Sequence, residues 1–288
     1  MRERTRGFAY AVRDLLADRD LLGAGREQLD AVVRFLGESA EVRDVLETRG
    51  VEVATREAIV RDLLADKVEE LVVELVVYAL SHEPAGEVGD AIQEMPAVLA
   101  SDAVLTEPEE ISTTHRSRGY GEAVAAALDE AGRDRLVAEL LAVGSFVRGQ
   151  PELRRVLAGF AGEATTRIEV AEDLFAPRLS RQAFLVLRAA VAVTSPRAVA
   201  ETLEQIVADT IARSHRSLAQ VAVARALPEQ LQGQVLATLR DRVGREVVAE
   251  WHVDPSLIGG LVAVVGDRVF DVSVVRELKR ARALLVGS

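Results

Sequence analysis

The strongest constraint on what this chain can fold into is that part of it is written twice. "EVRDVLETRGVEVATREAIVRDLLADKVEEL", starting at Glu41, lies without a gap over "ELRRVLAGFAGEATTRIEVAEDLFAPRLSRQ", starting at Glu152. Arg43 then meets Arg154, Thr55-Arg56 meets Thr166-Arg167, and Asp62-Leu63 meets Asp173-Leu174. Upstream, "RGFAYAVRDLLAD" at Arg6 answers "RGYGEAVAAALDE" at Arg118 after a one-residue slip. Identity is only about a quarter, but the matches keep their order and spacing, which favours duplication over a chance likeness of two Ala/Leu-rich stretches. A chain of 288 residues has room for two or three domains,.

Each copy reads as short helices. In the second, Tyr120, Val124, Ala127 and Leu128 recur at helical spacing, and Leu136, Leu140, Val143 and Val147 do the same,. Gly149 and Gly162 mark interruptions, and Pro177 and Pro196 bound the last two segments, giving six helices between about Arg118 and His215,. Helix five carries more apolar surface than one bundle face needs. In "KVEELVVELVVYAL" only Lys67, Glu70 and Glu74 are polar, and in "RQAFLVLRAAVAV" only Arg181, Gln182 and Arg188,. Two readings stay open: helix five is central and buried on most sides, or part of it lines a groove for a partner helix. Between the copies, His82 to Ser117 brings Pro84, Pro96, Pro108 and the acidic "TEPEE". Pro96 would break a helix here, so this stretch is expected to be a short helix at most plus an acidic tether.

After His215 the period changes. "SLAQVAVARA" reads as a strand, Pro228 opens a helix stopped by Gly244, and "EVVAEWHV" alternates Val247, Ala249, Trp251 and Val253 against Glu246, Glu250 and His252,. Asp254-Pro255 turns the chain, Gly259-Gly260 leads into "LVAVV", Gly266-Asp267 supplies a hairpin turn, and Ser273 caps a closing helix,. The expected fold is mainly α with a small α/β C-terminal domain: two six-helix-type bundles, the first degenerate, then strand, helix, strand, hairpin and helix. The expected domains are 1–82, a linker 83–117, 118–215 and 216–288.

Catalytic chemistry has no foothold. The glycines of "GGLVAVVGD" lack the spacing and the following helix of a nucleotide fingerprint. His82, His115, His215 and His252 are scattered without metal-ligand spacing, there is no cysteine to act as thiol nucleophile or zinc ligand, and Ser145 and Ser273 have no nucleophile-elbow context,. No cofactor, metal or catalytic residue is expected. A net charge of −11 disfavours nucleic acid and anionic membrane surfaces,. The most apolar run, Leu71 to Leu80, is too short to span a bilayer and carries Glu74,.

A helical bundle followed by "VDPSLIGGLVAVVGDRVFDVSVVREL" resembles the delta subunit family of F-type ATP synthases, which includes the mitochondrial oligomycin sensitivity-conferring protein. The resemblance covers Arg118 to Ser288, including "ALPEQLQGQVLATL". The family usually has glycine where Val272 stands, and Met1 to about Ser117 is additional, as in the b-delta proteins of high-GC bacteria. The resemblance implies a non-catalytic peripheral-stalk (stator) subunit at the cytoplasmic face of a bacterial membrane. It implies contacts with α-subunit N-terminal helices and b-type subunits. The α-helix groove would lie between helices one and five, at Tyr120, Val124, Ala127, Leu128, Ala183, Phe184, Leu187 and Ala190. In the first copy, Phe8, Val12, Leu71 and Leu75 would either hold a second such helix or pack on the b-type subunit. Asp254, Gly259, Gly260, Gly266, Asp271 and Ser273 would shape the C-terminal domain. An unrelated helical adaptor is the alternative.

Overall fold

The computed structural model describes residues 1–40, 42, 46, 50–101, 113–153, 164–193, 199–213, 216–266 and 268–278. The chain divides into two compact units, Met1–Val207 and Ala208–Ser288.

The first unit holds both helical copies. The first copy contributes α1 (Glu3–Asp18), α2 (Leu22–Glu38), α3 (Val53–Leu64), α4 (Glu70–His82) and α5 (Val88–Ala100). The second contributes α6 (Thr113–Ala126), α7 (Glu130–Gly149), α8 (Ala164–Phe175), α9 (Arg181–Val193) and α10 (Val199–Arg213), the last of which runs past the division. Val53, Glu70 and Val88 start their helices, and Ala164, Arg181 and Val199 start the counterparts, with the same spacing that relates Glu41 to Glu152. The repeat in the letters is therefore a repeat of elements. Local chemistry fixes several ends. The Asp129 carboxylate accepts from Gly132 N at 2.8 Å to cap α7, and Ser180 Oγ, held by Glu139, accepts from Ala183 N at 3.3 Å at the start of α9,.

One expectation about the first copy changes. Residues 88–100 form a full sixth helix with Pro96 inside it. Proline in a helix interior costs about 3 kcal/mol, but Val88, Ala91, Ile92, Met95 and Leu99 are buried along one face of α5, packed on α1 and α2. At roughly 1.5 to 3 kcal/mol per large buried apolar side chain, that face outweighs the lost hydrogen bond. The first helices of the two copies, α1 and α6, pack directly on each other. The acidic "TEPEE" lies outside the described residues.

The second unit contains β1 (Ser217–Val223), α11 (Glu229–Val243), β2 (Val247–Val253), β3 (Leu261–Val265) and β4 (Arg268–Asp271). The sheet order is β2-β1-β3-β4. β1 and β2 run parallel, joined through α11, while β1–β3 and β3–β4 are antiparallel. Ala219, Val221, Val223, Leu239, Val247, Ala263 and Val265 make the core, with Val235, Leu236 and Phe270 packed around it. Along β2 the expected alternation fails at two places: Glu250 is buried, with its carboxylate 3.6 Å from His252 Nε2, and Val253 is exposed. The second half of the expected closing helix, from Lys279 on, lies outside the described residues.

Candidate partner-binding surfaces

The most extensive helix contact in the first unit joins the two copies through their first helices. Gly7 of α1 and Gly119 of α6 face each other's backbone. A Cβ on Gly7 would lie 1.9 Å from the Arg116 carbonyl oxygen, and one on Gly119 would lie 1.8 Å from that of Arg4. These glycines hold equivalent places in "RGF" and "RGY", and Arg4 and Arg116 each stand three residues before one of them. The crossing thus has local two-fold character. Absence of a side chain at both points is what lets the helix axes approach so closely.

Polar side chains reach across the crossing in both directions. From α1, Asp14 Oδ2 accepts from the Tyr120 hydroxyl of α6 at 2.8 Å and from Arg188 of α9 at 2.7 Å, and Asp18 pairs with Arg181 of α9 at 2.9 Å. From α6, the buried Glu122 carboxylate accepts from Arg4 of α1 and from the Tyr78 hydroxyl of α4. Arg116 donates to Glu3 at 2.5 Å. Tyr78 in turn stacks between Phe8, 4.0 Å away, and His82, 3.8 Å away. Burial, then the negative Asp14, push the Tyr120 hydroxyl well above the usual tyrosine range, so it remains a donor at neutral pH,.

The residues expected to line a groove are placed accordingly. Tyr120, Val124, Ala183, Phe184, Leu187 and Ala190 are buried within the chain, while Ala127 and Leu128 are half-buried. Phe8, Val12, Leu71 and Leu75 are buried as well. Helices α4 and α9 are central, and the surplus apolar surface of helix five is spent on burial inside the unit. A cleft of about 380 Å³ lies at the C-terminal ends of α1 and α6, lined by Leu15, Asp18, Arg19, Ala127, Leu128, Arg181 and Gln182. Reading the sequence by helical spacing did not reveal Asp14, Glu122, Arg4 and Arg188 as the polar clamps. Only the matched glycines gave a signal, through their equal rank in the repeat.

The second unit has its own apolar surface. A groove of about 980 Å³ runs between α11 and the β3–β4 hairpin, lined by Leu231, Val235, Ile258, Val269, Phe270 and Val272 among others. Leu231, Ile258, Val269 and Val272 are exposed, a density of apolar side chains unusual for solvent-facing surface,. The turn residues shape its rim. Asp254 accepts from Ser256 N at 2.9 Å, and hydrogen bonding by the Ser256 side chain, then by its backbone, lowers the Asp254 pKa; Asp271 accepts from Ser273 N at 2.9 Å; and Ser273 Oγ accepts from Arg276 N at 3.2 Å. Gly260 has φ +78° and stands where a Cβ would lie 2.2 Å from the Val272 carbonyl oxygen, so the close approach requires glycine at 260 and tolerates valine at 272,. Gly259 packs against Val274, and Gly266 takes φ +60° in the hairpin turn.

Among the described residues no group of three or more His, Cys, Asp or Glu side chains could hold a metal ion, and no helix is long and apolar enough to cross a membrane. The exposed apolar groove of the second unit is the kind of surface that binds other polypeptides,.

Comparison with known proteins agrees. The sequence profile of the ATP synthase delta (OSCP) subunit matches residues 117–285. The ATP synthase subunit delta of Renibacterium salmoninarum is 28% identical over 267 residues, covering 90% of this chain and 89% of that protein. That of Kineococcus radiotolerans is 28% identical over 281 residues, covering 97% and 94%. A chain in a cryo-EM structure of the Toxoplasma gondii mitochondrial ATP synthase hexamer is 19% identical with a TM-score of 0.42, covering 62% of this chain and 98% of that one. Because these matches span 90% and 97% of the chain, they extend into the first helical copy. The chain belongs to the ATP synthase delta (OSCP) subunit family, and is a peripheral-stalk subunit of an F-type ATP synthase.

Proposed function

We propose that the chain is a non-catalytic tether that holds the catalytic head still against the rotating central stalk, at the cytoplasmic face of the membrane. The helical unit takes the head, through N-terminal helices of α subunits, and the α/β unit takes the end of b-type subunits. The observation that carries this reading is the family match over the second helical copy and the whole α/β unit, which reaches the apolar groove between α11 and the hairpin. On this reading the α helix meets the helical unit at the open cleft beside Ala127 and Leu128. Affinity comes from apolar burial at roughly 25 cal/mol per Å², and many small contacts give the slow dissociation that sustained torque demands. Family membership leaves an unrelated adaptor without support.

The natural chain contains no cysteine, so an introduced one is a unique reporter. A photoreactive label at Leu128→Cys should capture α subunits in native membranes, and one at Ile258→Cys should capture b-type subunits. Labels that capture neither, with the chain absent from the purified synthase, would overturn the reading.

A further inference from the structure

Charge is divided unevenly between the two units. Residues 1–207 carry 24 Lys and Arg against 37 Asp and Glu, a net −13, whereas residues 208–288 carry 11 against 9, a net +2. A chain that is acidic as a whole thus ends in a weakly basic unit, and that unit holds the groove between α11 and the hairpin,. The groove follows α11 along one helical stripe, with Leu231, Gln234, Val235, Thr238, Leu239 and Arg242 all on its wall,. That is the length and shape of a site for another helix.

Three arginines stand on this groove: Arg225 ahead of α11, Arg242 in its last turn, and Arg276. The acids in the lining are Asp271, whose carboxylate is held by Ser273 N, and Glu277. Local roles account for two of the cations, since Arg276 donates to the Asp271 carbonyl at 2.7 Å and Arg242 complements the negative end of the α11 dipole,. Neither role applies to Arg225. The side chains of Arg225 and Arg242 are exposed and make no ion pair or hydrogen bond with any described residue. We infer that the groove is built for an acidic amphipathic helix of a partner polypeptide, whose apolar stripe lies on Leu231, Ile258, Val269 and Val272 while its carboxylates meet Arg225 and Arg242. The choice of partner rests on the function proposed above: the helix is the end of a b-type subunit, and that end is acidic. The chain's own last residues are the wrong occupant, because Lys279, Arg280 and Arg282 would bring like charge to the arginines,. Apolar burial supplies most of the affinity, and the charges select the partner.

Fluorescence anisotropy on the intact chain tests this with two labelled synthetic helices that share one leucine stripe, the first flanked by glutamates and the second by lysines. The glutamate helix should bind about tenfold or more tighter at low salt, and added salt should shrink the preference. Arg225→Glu combined with Arg242→Glu should invert it in favour of the lysine helix, a gain that misfolding could not produce. Ile258→Ser should weaken binding of the glutamate helix to the otherwise wild-type chain, which locates it in the groove. Equal binding of both helices, tighter binding of the lysine helix, binding of neither, or a preference unmoved by the double reversal would overturn the inference. So would self-association of the chain that Ile258→Ser abolishes, or capture by phosphatidylglycerol vesicles in place of the peptides. Cross-linking from Ile258→Cys in native membranes separates this from the b-type reading. If the glutamate helix binds as stated but b-type subunits are not captured, that reading fails and the preference for an acidic helix stands. If b-type subunits are captured equally with and without the double reversal, the reading stands and the inference fails.

Discussion

Gly7 and Gly119 occupy the same place in the two copies and meet each other's helix backbone at one crossing. The atoms that a new methyl would strike are backbone carbonyls of Arg116 and Arg4, which cannot swing aside. Alanine at either position should therefore destabilise the helical unit by about 2 to 3 kcal/mol despite its better helix propensity. Gly233→Ala in α11, where a Cβ meets nothing within 4 Å, should stabilise its own unit by about 0.5 to 1 kcal/mol,. Denaturant titration of the single variants separates the two signs.

Tyr120→Phe removes a donor to the Asp14 carboxylate and should cost about 1.5 to 3 kcal/mol near neutral pH,. The pH dependence has a definite sign. Because the folded-state pKa of Tyr120 is raised, its contribution is complete below the ordinary tyrosine value of about 10 and is lost as pH rises towards the folded value,. The wild-type thermal midpoint should thus fall more steeply above about pH 10 than that of Tyr120→Phe.

Pro96→Ala restores an N–H to α5 without touching the buried face formed by Ile92, Met95 and Leu99. A gain of about 1 to 3 kcal/mol is expected, read as a higher thermal midpoint. An unchanged or lower midpoint would mean that the proline ring itself contributes to packing in the helical unit.

Much of the α/β unit was legible because its punctuation is local. Pro228, Gly244, Asp254-Pro255 and Gly266 each act within a few residues, and the strands and α11 begin and end where those residues require. The sixth helix of the first copy was not legible, since the rule against interior proline speaks only of the helix and the buried apolar face of α5 belongs to its neighbours. The groove residues show the same division. The apolar excess of α9 fits burial and partner binding equally well in the sequence, and in the fold it packs on α6, α7 and α8 of its own copy. Glu250 in β2 was read as solvent-facing from strict alternation, yet it is buried.

Partner contacts should respond to residues that are exposed, like Ile258, or half-buried at the open cleft, like Leu128, and ignore fully buried ones. Leu128→Asp should weaken retention of the catalytic head by about tenfold or more, and Ile258→Asp should weaken retention of b-type subunits similarly, each with little change in the folding of the free chain,. Pull-down of the synthase with each variant, alongside circular dichroism melting, measures both effects.

Pairing the first helix with one that follows more than a hundred residues later also governs the order of events at the ribosome. Tyr120 and Asp14 are 106 positions apart, and Arg4 and Glu122 are 118 apart. The part of α1 not covered by its own copy must therefore wait until α6, at the start of the second copy, has been synthesised,. Maturation of the helical unit should accordingly be late, abrupt and sensitive to truncation before residue 126, with nascent fragments depending on chaperones to stay out of aggregates.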